Sequence, residues 1–480
     1  MAKRQEENSV GERLKTIILC FLVFLSLVLT YRLWFGSPDY EVITPVSYER
    51  INFGETVSLD KLLLPGEIVY FHPQAQSYQE TEISEGEFSN NRGYYQEEEP
   101  VNLRDSLSGY SSLWEAFNRE LKKVHHINFS SVNEKEIKKD LNSLSEPSLQ
   151  IHFSVPYALE LFLPSGINDI SFPLIQKIYF YGEETYMETV KRDYYRIDWD
   201  FNYAYFLSQA EELFLKQSPD FTLLNLLVEG NEEINSYLVT EEIAVLNYSP
   251  DLPDLYYQIE ELDIDKLAKA FFIDLTLVRQ IKERDEAVIY TDGQRGLRVN
   301  SQGLIEYSAP AKKHEPEVLS YQEALIKGIE YVTVYGGWPE ILNLKITELS
   351  SLLLESEGFY RLKLNSYYKG FPIIFGYTPL DLVFNKQGLV SYQRQIFELE
   401  VGQEKSKVIG VEKALEGILN DLPELFSQKS SRKVTRCFLA YIPVQGVNRI
   451  LRPYWIIEID NYYRVLLNGR TGAVDKVITL

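Results

Sequence analysis

The sequence predicts an α+β protein: a single apolar N-terminal helix, then a multidomain, sheet-rich region ending in two tandem modules of antiparallel sheet plus helix. Three observations predict it. From Thr16 to Tyr31 no residue is charged, and Leu14–Phe35, at about 1.5 Å per residue, reaches roughly 33 Å, enough to cross a hydrocarbon core. Tyrosine (34) and phenylalanine (25) are abundant in the 480 residues, and both favour strands. An Asn-led turn closed by glycine recurs, with Gly303, Gly388 and Gly472 spaced by 85 and 84 residues.

Taken in order, residues 1–13 form a short tail and 14–35 a transmembrane anchor. A cleaved signal peptide needs small residues just after its apolar run. Here the run passes into Tyr31, Arg32, Leu33, Trp34 and Phe35, which predicts that the helix is retained. Tyr31 and Trp34 suit the membrane interface as aromatic anchors, and Arg32 suits snorkelling to the headgroups. Lys3, Arg4, Arg13 and Lys15 precede the helix, so the tail is expected in the cytoplasm and the bulk outside it, as a single-pass protein of the cell membrane.

The net charge of −22 makes the outer region a poor ligand for nucleic acid or anionic lipid. Of the two cysteines, Cys20 lies in the apolar run and Cys437 stands alone beyond it, so no disulfide between them is expected. The outer region divides into an N-terminal extracytoplasmic domain (36–185), a central α+β domain (186–304) and two repeat modules (305–390 and 391–480). Residues 76–112, polar and acidic, predict a loop or irregular hairpin within the first domain. LDIDKLAKAFFID predicts a capped helix, with Asp263 or Asp265 as N-cap. Asp292-Gly293 predicts a tight hairpin turn, because glycine tolerates positive φ.

The module assignment rests on parallel order. VNSQGLIEY (299–307) matches FNKQGLVSY (384–392), and LNGRTGAV (467–474) is a looser third copy. A capping-box pattern, Ser320 to Glu323, follows the first turn, and VEKALEGIL follows the second. Gly303, Gly388 and Gly472 are therefore expected in equivalent hairpin turns.

Signals for chemistry are few. The five histidines (72, 125, 126, 152 and 314) show no ligand spacing, so no metal and no cofactor are expected. Ser58–Lys61 and Ser430–Lys433 fit SxxK, but two matches are what chance supplies in a chain this long, and no KTG triplet accompanies them. The chain is expected to be no enzyme. An anchor, a tail too short to signal alone and tandem modules outside describe a binding protein. Rival classes are an extracellular enzyme and a PepSY-like binding or protease-inhibitor protein acting at the cell wall.

SLVLTYRLWFGSPDYE after a basic tail, VIYTDGQRGL, the GGWP turn and the ending LRPYWIIEIDNYYRVLLNGRTG together resemble the YycH family. That resemblance implies a non-catalytic, membrane-anchored regulator in a Gram-positive bacterium. It implies as partners the sensor histidine kinase of a cell-wall two-component system, WalK/YycG, and the smaller relative YycI. It also implies final modules similar to YycI and loosely to PepSY domains, and kinase contact running substantially through transmembrane helices. Thr16, Ser26 and Thr30 are the candidates for that contact, since hydroxyls can bridge helices in lipid, and Ser26 and Thr30 share a face.

Overall fold

The structure is a computed structural model. It describes residues 15, 18–31, 51, 53–65, 67–71, 92–96, 106–135, 137, 148–164, 172–216, 221–228, 230–240, 243–246, 249–272, 274–310, 318–339, 344–352, 358–426, 431–444 and 449–480. The chain divides into two units, 1–50 and 51–480.

In the first unit, residues 18–31 are helical and their apolar side chains are exposed, Phe21, Phe24 and Leu27 each by more than 60 %. Among the described residues no helix is long and apolar enough to cross a membrane. The expected anchor, 14–35, is thus described mainly over 18–31. Thr16, Arg32, Trp34, the tail 1–13 and residues 36–50 lie outside the described residues.

The second unit opens on a seven-stranded antiparallel sheet. Its strands are β1 (Glu67–Phe71), β2 (Arg92–Gln96), β3 (Ile127–Val132), β4 (Ser148–Tyr157), β5 (Ile175–Tyr181), β6 (Glu184–Thr189) and β7 (Tyr194–Trp199), in the order β2-β1-β4-β5-β6-β7-β3. β4 shows why it forms: Leu149, Ile151, Phe153, Val155 and Tyr157 alternate onto one face and are buried. Helices α1 (Ser106–Leu121) and α2 (Tyr203–Lys216) supply the rest of this core. Trp114, Phe117 and Leu121 of α1 recur at helical spacing and are buried, and Phe117 meets Phe180, Phe201 and Phe206 at centroid distances of 5.6–6.2 Å. Within the stretch expected to be a loop, 92–96 are a strand and α1 has begun by Ser106; the remainder of 76–105 lies outside the described residues. The bound expected at 185/186 falls inside β6.

Three short strands, β8 (Phe221–Leu223), β9 (Leu238–Thr240) and β10 (Ala244–Leu246), and the long β11 (Asp251–Ile259) lead into a 16-stranded sheet. Among the described residues a helix followed by four antiparallel strands then occurs three times. The first unit is α3 (Ile264–Phe271) with β12 (Arg279–Lys282), β13 (Val288–Thr291), β14 (Gly296–Val299) and β15 (Ile305–Ser308). The second is α4 (Tyr321–Val334) with β16 (Leu344–Leu352), β17 (Phe359–Tyr368), β19 (Leu380–Asn385) and β20 (Gly388–Arg394), plus a three-residue β18 (Phe371–Ile373). After β21 (Phe397–Lys407) comes the third, α5 (Val411–Asp421) with β22 (Arg432–Pro443), β23 (Ile450–Ile459), β24 (Tyr463–Asn468) and β25 (Val474–Thr479).

The helix starts follow local chemistry. Asp263 Oδ1 accepts from Lys266 N at 2.9 Å, and Ser320 and Glu323 close a reciprocal capping box, while Gly410 before α5 gives no side-chain cap. The repeat begins at each helix and ends at the strand after each Asn turn. The bound expected at 304/305 therefore separates β14 from β15, which pair with each other. The first unit escaped sequence reading because its helix has eight residues and its strands four each, too few to establish a period.

The units join in two ways. β15 and β20, the last strands of the first two units, pair antiparallel with Tyr307 opposite Tyr392. Over them the ends of α3 and α4 meet, Phe271 stacking on Tyr335 at 4.2 Å and on Tyr307 at 4.4 Å. Among the described residues the second and third units pair directly at one parallel bridge, Ile373 to Tyr441, and β11 pairs with both β21 and β23.

Candidate functional site

Each predicted turn can be located. Asp292 and Gly293 join β13 to β14, with Gly293 at φ +89°. Asp292 Oδ1 accepts from Arg295 N and Gln294 N, and Oδ2 from the Arg295 guanidinium; these bonds, the Arg295 amide first, pull its carboxyl down to about 2. Gly303 joins β14 to β15, Gly388 opens β20 after β19, and Gly472 joins β24 to β25. In all three an asparagine side chain holds the turn. Asn300 accepts from Gln302 N and Leu304 N, Asn385 from Gln387 N and Gly388 N, and Asn468 from Arg470 N and Thr471 N. The glycines differ in detail. Gly303 (φ +74°) and Gly472 (φ +78°) lie in the left-handed region, and Gly388 (φ +152°) has a much larger positive φ that also favours glycine. A Cβ on Gly303 would lie 2.2 Å from Ile259 Cγ2, while nothing lies within 4 Å at Gly388.

The turns frame a buried charged centre where β11, β20 and the turn after α4 converge. Arg394 is fully buried. Its Nε and Nη2 donate to the two carboxylate oxygens of Glu260, at 3.0 and 2.6 Å. Nη1 donates to Gly337 O at 2.9 Å and to Tyr392 Oη at 3.4 Å, and Nη2 also to Gly336 O at 3.3 Å. All five N–H donors of the guanidinium thus have acceptors, the condition under which a buried arginine is tolerated. Burial alone would favour the neutral form, but Tyr392 and Glu260 outweigh it and hold the Arg394 pKa above its ordinary value.

The Gly-Gly-Trp-Pro turn is the other half of this centre. Gly336 (φ +117°) and Gly337 (φ +75°) turn their carbonyls to Arg394, and Trp338 Nε1 donates to Thr333 Oγ1. Gly337 also makes room for the segment that follows residue 50: a Cβ there would lie 2.8 Å from Phe53 O and 2.9 Å from Phe53 Cβ. Lys266 of α3 sets its ammonium 4.5 Å from the Phe53 ring centroid. Sequence reading noted the turn but missed Arg394, Glu260 and Phe53. The signal was available in Tyr392-Gln393-Arg394, where strand alternation puts the arginine on the same inward side as a buried tyrosine.

Of the remaining candidates, Ser26, Thr30 and Tyr31 lie in the helix 18–31, all exposed. Ser58 precedes a single helical turn, Leu59–Leu62, with no side-chain cap, and Lys61 N donates to Ser58 O. Ser430, His72 and His314 lie outside the described residues. The backbone amides of His125 and His126 donate to Asp200, whose pKa is lowered: burial opposes, and these bonds prevail. Among the described residues no group of three or more His, Cys, Asp or Glu side chains is arranged to hold a metal.

The family model described as YycH protein, N-terminal domain, matches residues 12–91, and that described as YycH protein, C-terminal domain, matches 241–468. No curated protein matches the chain by sequence. Among solved structures, YycH from Bacillus subtilis is similar at a TM-score of 0.56 and 15 % identity, over 90 % of this chain and 99 % of that one. An uncharacterized protein from Eubacterium rectale has a TM-score of 0.33 and 12 % identity over 51 % of this chain and 90 % of its own. The Bacillus likeness speaks for the fold, a mixed α+β architecture shared over nine tenths of the chain, and the two family models speak for descent. The buried arginine centre and the turns held by Asn300 and Asn385 lie inside the C-terminal match, which ends on Asn468 at the start of the third turn, and with both domain models matched in order the chain belongs to the YycH family.

Proposed function

We propose that the protein is a non-catalytic, membrane-anchored regulator of the sensor histidine kinase WalK/YycG, acting together with a YycI-like membrane protein. Membership of the YycH family implies a regulator of the YycG/WalK system, and that membership is the observation that carries the reading. In this reading residues 14–35 cross the membrane with the N-terminus in the cytoplasm. Tyr31, Arg32 and Trp34 sit at the outer interface, and Thr16, Ser26 and Thr30 face partner helices. The bulk of the chain lies outside.

In this reading influence on the kinase passes through the helix and through contacts outside. Interhelical hydrogen bonds in lipid contribute roughly 0.6 kcal/mol each. A few of them shift a poised equilibrium several-fold without switching it outright. The outer region supplies the remainder. Phe53, seated against Gly337, ties the chain just after residue 50 to the Arg394 centre.

The test replaces 14–35 by an unrelated poly-leucine span and reads kinase-dependent transcription alongside co-purification of the kinase. Regulation and co-purification are both expected to fall. Unchanged values for both would make the helix a tether only. Deletion of the whole protein without effect on kinase-dependent transcription would overturn the regulatory reading itself.

A further inference from the structure

We propose that the edge strand β12 takes up an extended acidic segment of a partner protein, which pairs antiparallel with it and lengthens the sheet by one strand. The inference does not rest on the regulatory reading, and its test uses a peptide probe rather than the kinase.

Among the described residues β12 pairs with β13 alone and stands at one end of the 16-stranded sheet. All four of its residues, Arg279–Lys282, are exposed. The register shows which backbone groups the sheet leaves unused. Arg279 lies opposite Thr291 and Ile281 opposite Ile289, and in phase with them Glu283 N donates to Ala287 O. Hydrogen-bonded pairs alternate along an antiparallel ladder. Arg279 and Ile281 therefore spend their amides and carbonyls on β13, while Gln280 and Lys282 direct theirs away from the sheet. Apolar side chains accompany this open edge: Leu277, just before the strand, is 72 % exposed and Ile281 48 %. Outward amides and carbonyls beside exposed apolar side chains are the template for strand addition.

Charge selects the occupant. Arg279, Lys282 and Arg284 are all exposed, and among the described residues no carboxylate pairs with any of them. The carboxylates of the hairpin that follows are turned elsewhere. Glu283 and Asp285 meet Arg298 of β14, two strands in from the edge, at 2.9 and 3.0 Å, and Glu286 lies in the turn beyond the end of β12. A second copy of this edge would set the same cations against one another, so charge opposes self-pairing. A strand with carboxylates opposite Arg279 and Lys282 and an apolar residue opposite Ile281 meets both the charges and the apolar contact. Its carboxylates then fall three residues apart, in the order Glu-Val-Thr-Glu. The chain carries a net charge of −22, which favours basic ligands over the rest of its surface, so preference for an acidic strand is a signature of this edge.

The test measures fluorescence anisotropy with the detergent-solubilised full chain and a labelled dodecapeptide that repeats Glu-Val-Thr-Glu. One control peptide carries Lys in place of every Glu, and another keeps the acidic sequence but has alternate amides N-methylated. The acidic peptide is expected to bind roughly tenfold tighter than either control, since one lacks the charge and the other the donors of a strand. Gln280→Pro deletes an outward N–H and spares the bonds to β13, and Lys282→Glu reverses a charge; each is expected to weaken binding roughly fivefold. The peptide controls use the unaltered protein, so a folding defect in either variant, seen as a shifted unfolding midpoint, leaves them to decide. No binding of the acidic peptide, equal or tighter binding of either control, or wild-type affinity in the correctly folded variants overturns the proposal.

Discussion

Replacing Arg394 by methionine is the sharpest test of the buried centre. The substitution keeps much of the stem's volume and removes five donors. It leaves the Glu260 carboxylate, whose side chain is 12 % exposed, without its bidentate partner, and the Gly336 and Gly337 carbonyls without theirs. Breaking a buried pair from one side costs about 3–5 kcal/mol. Glu260 retains some solvent, so the expected value is near the lower end, about 3 kcal/mol. At roughly 1–2 °C per kcal/mol for a unit of this size this lowers the melting temperature by about 3–6 °C. Arg394→Lys retains the charge but not the planar fork, and should cost nearly as much. Glu260→Gln added to Arg394→Met removes the orphaned charge, so the double variant should be more stable than the two single effects predict by about 1–2 kcal/mol. Trp338, on the turn that Arg394 holds, reports the transition by its fluorescence in urea and thermal unfolding of the full chain in detergent. A loss under about 1 kcal/mol for Arg394→Met, or strict additivity in the cycle, would show that the guanidinium is not desolvated as described.

Two further expectations concern the turns. Gly303→Ala combines a left-handed φ with a Cβ 2.2 Å from Ile259, and should cost about 2–4 kcal/mol, whereas Gly388→Ala, with open space around it, should cost about 1–2 kcal/mol; equal unfolding midpoints would refute the distinction. Asp292 has a depressed pKa, so its contribution is present above the ordinary carboxylate range and is lost as pH falls toward about 2; an NMR titration of its carboxyl is expected to show a midpoint near about 2, and a midpoint near 4 would mean that the Arg295 and Gln294 bonds do not hold in solution.

What was legible in the sequence is what short-range chemistry determines. Asp263, the Ser320–Glu323 box and the Asn turns each act within four residues, and each lies where its pattern indicates. The Asn-to-Gly interval, three residues at Asn300 and Asn385 but four at Asn468, already separated the third turn from the others. What was not legible depends on partners distant in the chain. Glu260 and Arg394 meet across 134 residues, and nothing in IEELD or SYQRQ alone states that one carboxylate and one guanidinium will be buried together. The N-terminal sheet escaped for a related reason. β3 pairs with β7 across more than sixty residues, so neither strand has a hairpin signal, and the aromatic core under them is assembled from both helices and three strands.

The β15–β20 joint has a consequence for how such a chain can grow. Both are the last strands of their units, and they run antiparallel, so the first two units are related by a local pseudo-dyad passing between Tyr307 and Tyr392. An isologous joint of this kind consumes the same edge on both members. The pair is closed: no further copy can be appended by repeating the contact, as it can in an open head-to-tail solenoid. The third unit accordingly attaches by other routes, a parallel bridge at Ile373 and Tyr441 and an antiparallel pairing of β23 with β11, and it presents β25 as one edge of the sheet, interrupted by Asp475 and Lys476. The architecture is a terminated dimer of repeats with an appendix. Duplicating any one unit would lengthen the chain without extending its core.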